Sequence, residues 1–137
     1  MDWDEYIKWG KEAVVWGSEY RKNLRNYPVR SQNKPGETFN SLPPNPPENP
    51  ESIEQIFDDF KKIILPGVTH WQHPRFFAYF PANAAPASVF AEILTNTMGL
   101  QCMLWQTSPS ATELEEKVIE WLRISLDIPK GFGGIIQ

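Results

Sequence analysis

One cysteine, two histidines and no cluster of basic residues are all that these 137 residues hold of the side chains that most often announce a chemistry. A lone Cys102 excludes an internal disulfide and fits a reducing compartment, so the cytoplasm is the expected location. His70 and His73 are too few for a metal site unless other ligands converge on them, and Pro74 follows directly with no acidic residue close in sequence. Histidines that hydrogen-bond within a loop or flank a pocket are the better reading. The formal charge of −4 argues against a nucleic-acid partner, which needs a clustered basic face. No apolar run approaches the roughly 18 to 20 residues of a membrane-spanning helix. The opening MDWDEYIKWGKEA is broken by acids and lacks the plan of a signal peptide. There is no internal repeat and no strand-rich region.

What the chain does hold is rings and prolines. Six Trp, eight Phe and four Tyr make up 13% of the residues, more aromatic surface than a small helical monomer can hide, so a partner surface is expected. Seven of the thirteen prolines fall between positions 28 and 50, where missing N–H donors predict an extended connector. Its PPNPP run lacks the basic flanks of a peptide ligand and reads as a stiff strap.

Elsewhere the spacing is helical, and the class is all-α with about four helices. Trp3, Tyr6, Ile7, Gly10, Ala13, Val14, Gly17 and Tyr20 predict a helix over residues 3–24, with Trp9 and Trp16 off its stripe. Ile53, Ile56, Phe57, Phe60, Ile63 and Ile64 predict another over 52–64, stopped by Pro66-Gly67. Pro86 opens a third over Val89, Phe90, Ile93 and Leu94 that closes near Gly99. The fourth has Ser108 as N-cap, Pro109 at the first position and Glu113, Glu115 and Glu116 near the positive end of the dipole. Ala111, Leu114, Val118, Trp121, Leu122 and Ser125 form its expected buried stripe, and Ile128-Pro129 its stop. Connectors this long suit an arm wrapping another domain better than a tight bundle.

Few residues qualify as catalytic. Ser108 and Ser110 are accounted for as helix caps, Cys102 has no evident base, and GFGG at 131–134 lacks the remainder of a phosphate loop. Lys61 and Lys62 lie on a polar helix face. The stretch from Phe76 to Asn83 stands apart, because loops seldom carry four rings for stability alone. Phe76 and Phe77 suit core packing, and the set as a whole suits a pocket wall or an interface.

The order Pro66-Gly67-Val68-Thr69-His70-Trp71, His73-Pro74, Phe76 to Pro81, Trp105, Ser108-Pro109, Thr112 to Glu115 and Trp121-Leu122 resembles the N-terminal region of the aromatic L-amino-acid decarboxylases. These are group II enzymes that depend on pyridoxal 5'-phosphate. Tyr27-Pro28-Val29, Pro35-Gly36-Glu37 and the prolines from Leu42 to Glu51 fit the family's strap, so the likeness covers nearly the whole chain.

The resemblance implies the N-terminal arm of a fold-type I enzyme: residues 1–50 as helix and dimer strap, and 51–137 as a helical segment with a substrate-pocket loop. It implies a homodimer with its active site at the interface and an aromatic amino acid (Tyr, Trp, Phe or DOPA type) decarboxylated to an amine. Trp71, Tyr79, Phe80, Pro81 and Ala82 correspond to the wall of the substrate side-chain pocket, and Gln101 and Met103 to positions reaching the neighbouring subunit's site. Ala82 stands where animal enzymes carry a threonine and Met103 where they carry an aromatic, which argues against a strict catechol preference. The family's Schiff-base lysine follows a histidine in the large domain, and neither histidine here precedes a lysine. The expectation is therefore a non-catalytic N-terminal piece with no cofactor-binding or metal-binding residue of its own. The alternatives are a stand-alone helical dimerisation module and a decarboxylase for a Glu- or His-type amino acid. The ring-rich loop favours flat apolar substrates, since only Arg75 is near to pair with an acidic one.

Overall fold

The computed structural model describes residues 1–80 and 84–136. Every regular element in them is helical, in the order α1 (Trp3–Lys22), α2 (Glu37–Ser41), α3 (Ile53–Asp59), α4 (Pro86–Met98) and α5 (Pro109–Ser125), with short 3₁₀ and π turns between some of them. The all-α expectation holds, with a fifth, short helix added. The chain divides into two compact units, Met1–Asn83 and Ala84–Gln137.

In the first unit α1 starts where local chemistry dictates. The Asp2 carboxylate accepts from the backbone N–H groups of Asp4 and Glu5, and the Glu5 carboxylate accepts from the Asp2 N–H in return. Its inward face is only partly the one that residue spacing suggests: Gly10, Gly17 and Tyr20 of the expected stripe are partly buried, and its other members face outward. Trp3, Ile7 and Val14, all from the expected stripe, are 74%, 54% and 59% exposed. Instead Trp9 meets the Phe57 ring edge-on at 6.1 Å, and Trp16 meets Phe57 at 6.2 Å and Phe60 at 5.1 Å. The physical reason is area: two indoles remove more apolar surface from water than the smaller side chains of the competing stripe.

Residues 28–50 are not wholly extended, as their prolines suggested. Gly36, at φ 86°, takes the left-handed turn open to glycine and starts the five-residue α2. The Glu37 carboxylate accepts from the Lys34 N–H, and Asn33 donates to Thr38 Oγ1 at 3.0 Å. The strap is stitched down by the Ser31 hydroxyl, which donates to the Pro66 carbonyl at 3.0 Å. Gly67 lies so close to α2 that an added Cβ would stand 2.9 Å from Thr38 Oγ1. The helix expected at 52–64 is α3, capped reciprocally by Ser52 and Gln55, and its last part loosens into a π turn over Phe60–Ile64.

In the second unit α4 opens on Pro86 and closes on Gly99, which adopts φ 61° while Leu100 donates to the Thr95 carbonyl. Helix α5 begins at Pro109 as the sequence predicts, but two details differ. Ser108 occupies the N-cap position without a side-chain capping bond, and the first turn contains no acid. Its carbonyl instead receives both the N–H and the hydroxyl of Thr112. Glu113 lies beyond that turn and accepts from the Trp105 indole at 2.8 Å. The stripe expected to be buried is open within this chain: Leu114, Trp121 and Leu122 are 60%, 54% and 52% exposed. The helix stops through Asp127 at φ 53°, with Arg123 forked onto Glu120 and also donating to the Ile128 carbonyl.

Among the described residues only Leu24 is a fully buried hydrophobic side chain.

Candidate functional site

The loop that follows α3 holds most of the candidate residues. Its foundation is a pair of histidines buried to 2% and 5% exposure, His70 and His73. The His70 N–H donates to the Val29 carbonyl, the His73 N–H to the His70 carbonyl and the Phe76 N–H to the His73 carbonyl, each at 2.9 Å. The Arg75 N–H is bound by His73 Nδ1 at 3.0 Å. These bonds let an irregular segment hold its polar backbone away from water.

The His70 imidazole points back to α1, where its Nδ1 shares a 2.7 Å hydrogen bond with the Tyr20 hydroxyl. The Tyr20 and Tyr27 rings close over it at 5.6 and 4.9 Å. Burial pushes the His70 pKa below the ordinary histidine value, and the nearby His73 pushes the same way. Burial also raises the Tyr20 phenol, against the opposing pull of Arg21. Both shifts favour the neutral forms of the two groups, joined by the hydrogen bond between the Tyr20 hydroxyl and His70 Nδ1. Both histidines are structural groups, and among the described residues no group of three or more His, Cys, Asp or Glu could hold a metal ion.

Above this base stands a ladder of rings. Trp71 is stacked against Phe76, at 5.0 Å and 30°, and against Tyr79, at 5.7 Å and 17°. Tyr79 is 84% exposed and adopts φ 55°, a left-handed backbone that costs a bulky L-residue roughly 1–2 kcal/mol. Phe80 is 99% exposed and Phe77 91%, so Phe77 is not the core residue its composition allowed, whereas Phe76 is tucked under Trp71. Strained backbone under an exposed aromatic is a feature of binding loops rather than of packing.

Of the residues singled out from sequence, Trp71 and Tyr79 are in direct contact and Phe80 follows them on the same loop. Pro81 and Ala82 lie outside the described residues. Gln101 and Met103 sit on the turn between α4 and α5 in the second unit, both exposed, with Met103 at 75%. That turn is held by Thr107, whose hydroxyl and N–H donate to the Leu104 carbonyl. Sequence reasoning placed Tyr20 on the α1 stripe and Tyr27 in the strap, and linked neither to His70. Nothing local marks a tyrosine 50 residues from its histidine partner as part of a site.

Comparison with known proteins gives this arrangement a family. The model of the pyridoxal-dependent decarboxylase conserved domain matches residues 35–137. Phenylacetaldehyde synthase of Arabidopsis thaliana and tyrosine decarboxylase of Papaver somniferum are each 41% identical to the chain over its full length. The crystal structure of Catharanthus roseus tryptophan decarboxylase in complex with L-tryptophan superposes with a TM-score of 0.92 at 36% identity, covering 100% of this chain and 31% of that one. Rhodiola rosea 4-hydroxyphenylacetaldehyde synthase gives 0.86 at 38% identity, covering 94% of this chain and 28% of that one. The chain spans 29% of the length of each of the two curated relatives named. A family model that matches three quarters of the sequence, together with relatives alike along its whole length, makes this chain a member of the pyridoxal-dependent decarboxylase family.

Proposed function

We propose that this chain is the N-terminal part of a pyridoxal-phosphate-dependent carboxy-lyase that decarboxylates aromatic L-amino acids to amines. The observation that carries the reading is the Phe76–Trp71–Tyr79 ladder, fixed from below and open above. A flat apolar side chain gains stacking from such a surface, worth about 0.5–1.5 kcal/mol per ring pair beyond area burial. A carboxylate side chain would be desolvated there without a fixed cation. In this reading Trp71, Tyr79, Phe80, Pro81 and Ala82 wall the side-chain pocket, and Gln101 and Met103 face the neighbouring subunit's site. Residues 1–50 act as arm and strap of a cytoplasmic homodimer, and residues 51–137 lead from the pocket loop toward the cofactor domain. The exposed Trp3, Ile7 and Val14 on α1 supply an apolar face for the dimer contact.

The chain's own residues do not fit a covalently held cofactor. Pyridoxal phosphate needs a sheltered lysine amine, an acid for its pyridine nitrogen and an anion cradle. None of the eight lysines is buried, and Lys61 and Lys62 both pair with Asp58, at 2.6 and 3.7 Å. No catalytic step is therefore assigned to this chain, and its contribution is shape, stacking and exclusion of water. Relatives named as phenylacetaldehyde synthases give a second outcome, an aldehyde product, in which the same wall serves the same substrates.

The test places this chain in the corresponding region of a tyrosine decarboxylase and compares Trp71→Ala and Tyr79→Ala in that chimera. Each variant is expected to lose about tenfold or more in kcat/KM for tyrosine and tryptophan, the equivalent of about 1.4 kcal/mol. Unchanged kcat/KM removes these rings from the site.

A further inference from the structure

The ladder stands on a loop with no regular secondary structure, yet one of its rings keeps a strained backbone. Something must hold the loop. Between residues 68 and 80 the buried side chains are His70 and His73, and the His70 side chain is hydrogen-bonded to Tyr20 of α1. The His70 backbone is tied down as well: its N–H donates to the Val29 carbonyl, its carbonyl receives the His73 N–H, and the next residue is Trp71. At the far end of the side-chain bond, Tyr20 is stacked on Trp16 at 5.3 Å, and Trp16 is packed on α3 through Phe57 and Phe60.

We infer that Tyr20 of α1 is a positioning residue for substrate recognition, its hydroxyl locking His70 so that Trp71 and Tyr79 hold their stacked geometry. The inference rests on the pocket role proposed above and adds to it a residue that touches no substrate. The bond runs from helix to loop, so it transmits the placement of the N-terminal arm to the ring ladder. Hydroxyl and ring have separable parts: the ring holds Trp16 and Tyr27, and the hydroxyl holds His70.

That separation makes Tyr20→Phe the informative change, since it keeps the ring packing and leaves a buried imidazole nitrogen without its partner. Two measurements on the chimera decide the matter. In amide hydrogen exchange, Tyr20→Phe is expected to speed exchange across residues 70–80 about tenfold, the size of one lost hydrogen bond. Residues 3–22 and 53–59 should stay at wild-type rates. Unchanged exchange at 70–80, or an equal rise everywhere, overturns the inference. In kinetics, Tyr20→Phe is expected to raise KM for tyrosine and tryptophan several-fold with kcat little altered. It should add nothing further on top of Tyr79→Ala, because both act through one ladder. Additive losses in the double variant overturn it. Should Tyr79→Ala alone leave kcat/KM untouched, the pocket reading fails, while the exchange data still decide whether Tyr20 anchors the loop.

Discussion

Replacing Trp16 by Ala tests which face of α1 looks inward. Trp16 is partly buried against Tyr20, Phe57 and Phe60, with ring centroids at 5.3, 6.2 and 5.1 Å. A tryptophan that loses about 100 Å² of buried apolar area forfeits about 2.5 kcal/mol at roughly 25 cal/mol per Å². The lost edge and stacking contacts push the cost toward 3 kcal/mol, still below that of a fully buried ring with its cavity. Urea unfolding of the 137-residue chain, followed by far-ultraviolet circular dichroism, should show the first unit melting about 1–3 M earlier, given slopes of about 1–3 kcal/mol per M. The control is Trp3→Ala. Trp3 is 74% exposed and meets only Tyr6 of its own helix among the ring contacts, so at concentrations that keep the chain monomeric it should cost no more than about 0.5 kcal/mol. Equal losses at the two positions, or no loss at Trp16, would refute the assignment of the inward face.

Two further expectations come from the loop and the strap. His70 has its pKa depressed by burial, so below the ordinary histidine value of about 6.5 the unfolded chain binds a proton that the folded one refuses. Stability is therefore full above that value and falls as pH is lowered through it toward the folded pKa. Tyr20 of α1, Tyr27 of the connector and His73 of the loop face it, and Arg21 acts on Tyr20. Urea midpoints between about pH 7.5 and 5.5 should drop in the native sequence and drop less in His70→Asn; parallel slopes would contradict the mechanism. Gly67→Ala should cost about 1 kcal/mol or more, because its Cβ would stand 2.9 Å from Thr38 Oγ1. Urea midpoints should show that cost largely relieved when Thr38 is also Ala, and a full cost in the double variant would point elsewhere.

Much of the fold was legible because its punctuation is local. Pro86, Gly99 and Pro109 mark helix ends by rules that need no tertiary information, and α4 and α5 run between them as expected. The face of α1 was legible only in part: Gly10, Gly17 and Tyr20 of the expected stripe turn inward, but beside them pack Trp9 and Trp16, which spacing alone placed off the stripe. Helix α2 was hidden by flanking prolines, although Gly36 and Glu37 carried its start. Ser108 looked like a capping side chain, and the backbone uses its carbonyl instead. For the site, order along the chain pointed to Trp71 and Tyr79, and the structure stacks them. The Tyr20–His70 bond joins residues 50 apart, which no periodicity encodes.

The central claim is that this chain supplies one wall of an aromatic amino-acid site and none of the cofactor's anchors. Carbon dioxide release from tyrosine, tryptophan, phenylalanine and DOPA with added pyridoxal phosphate tests it most directly, measured on the 137-residue chain alone and on the chimera. The account predicts silence from the chain alone and turnover of aromatic substrates by the chimera. Turnover by the isolated chain, or a folded cofactor-loaded chimera that leaves every aromatic acid intact, would contradict it.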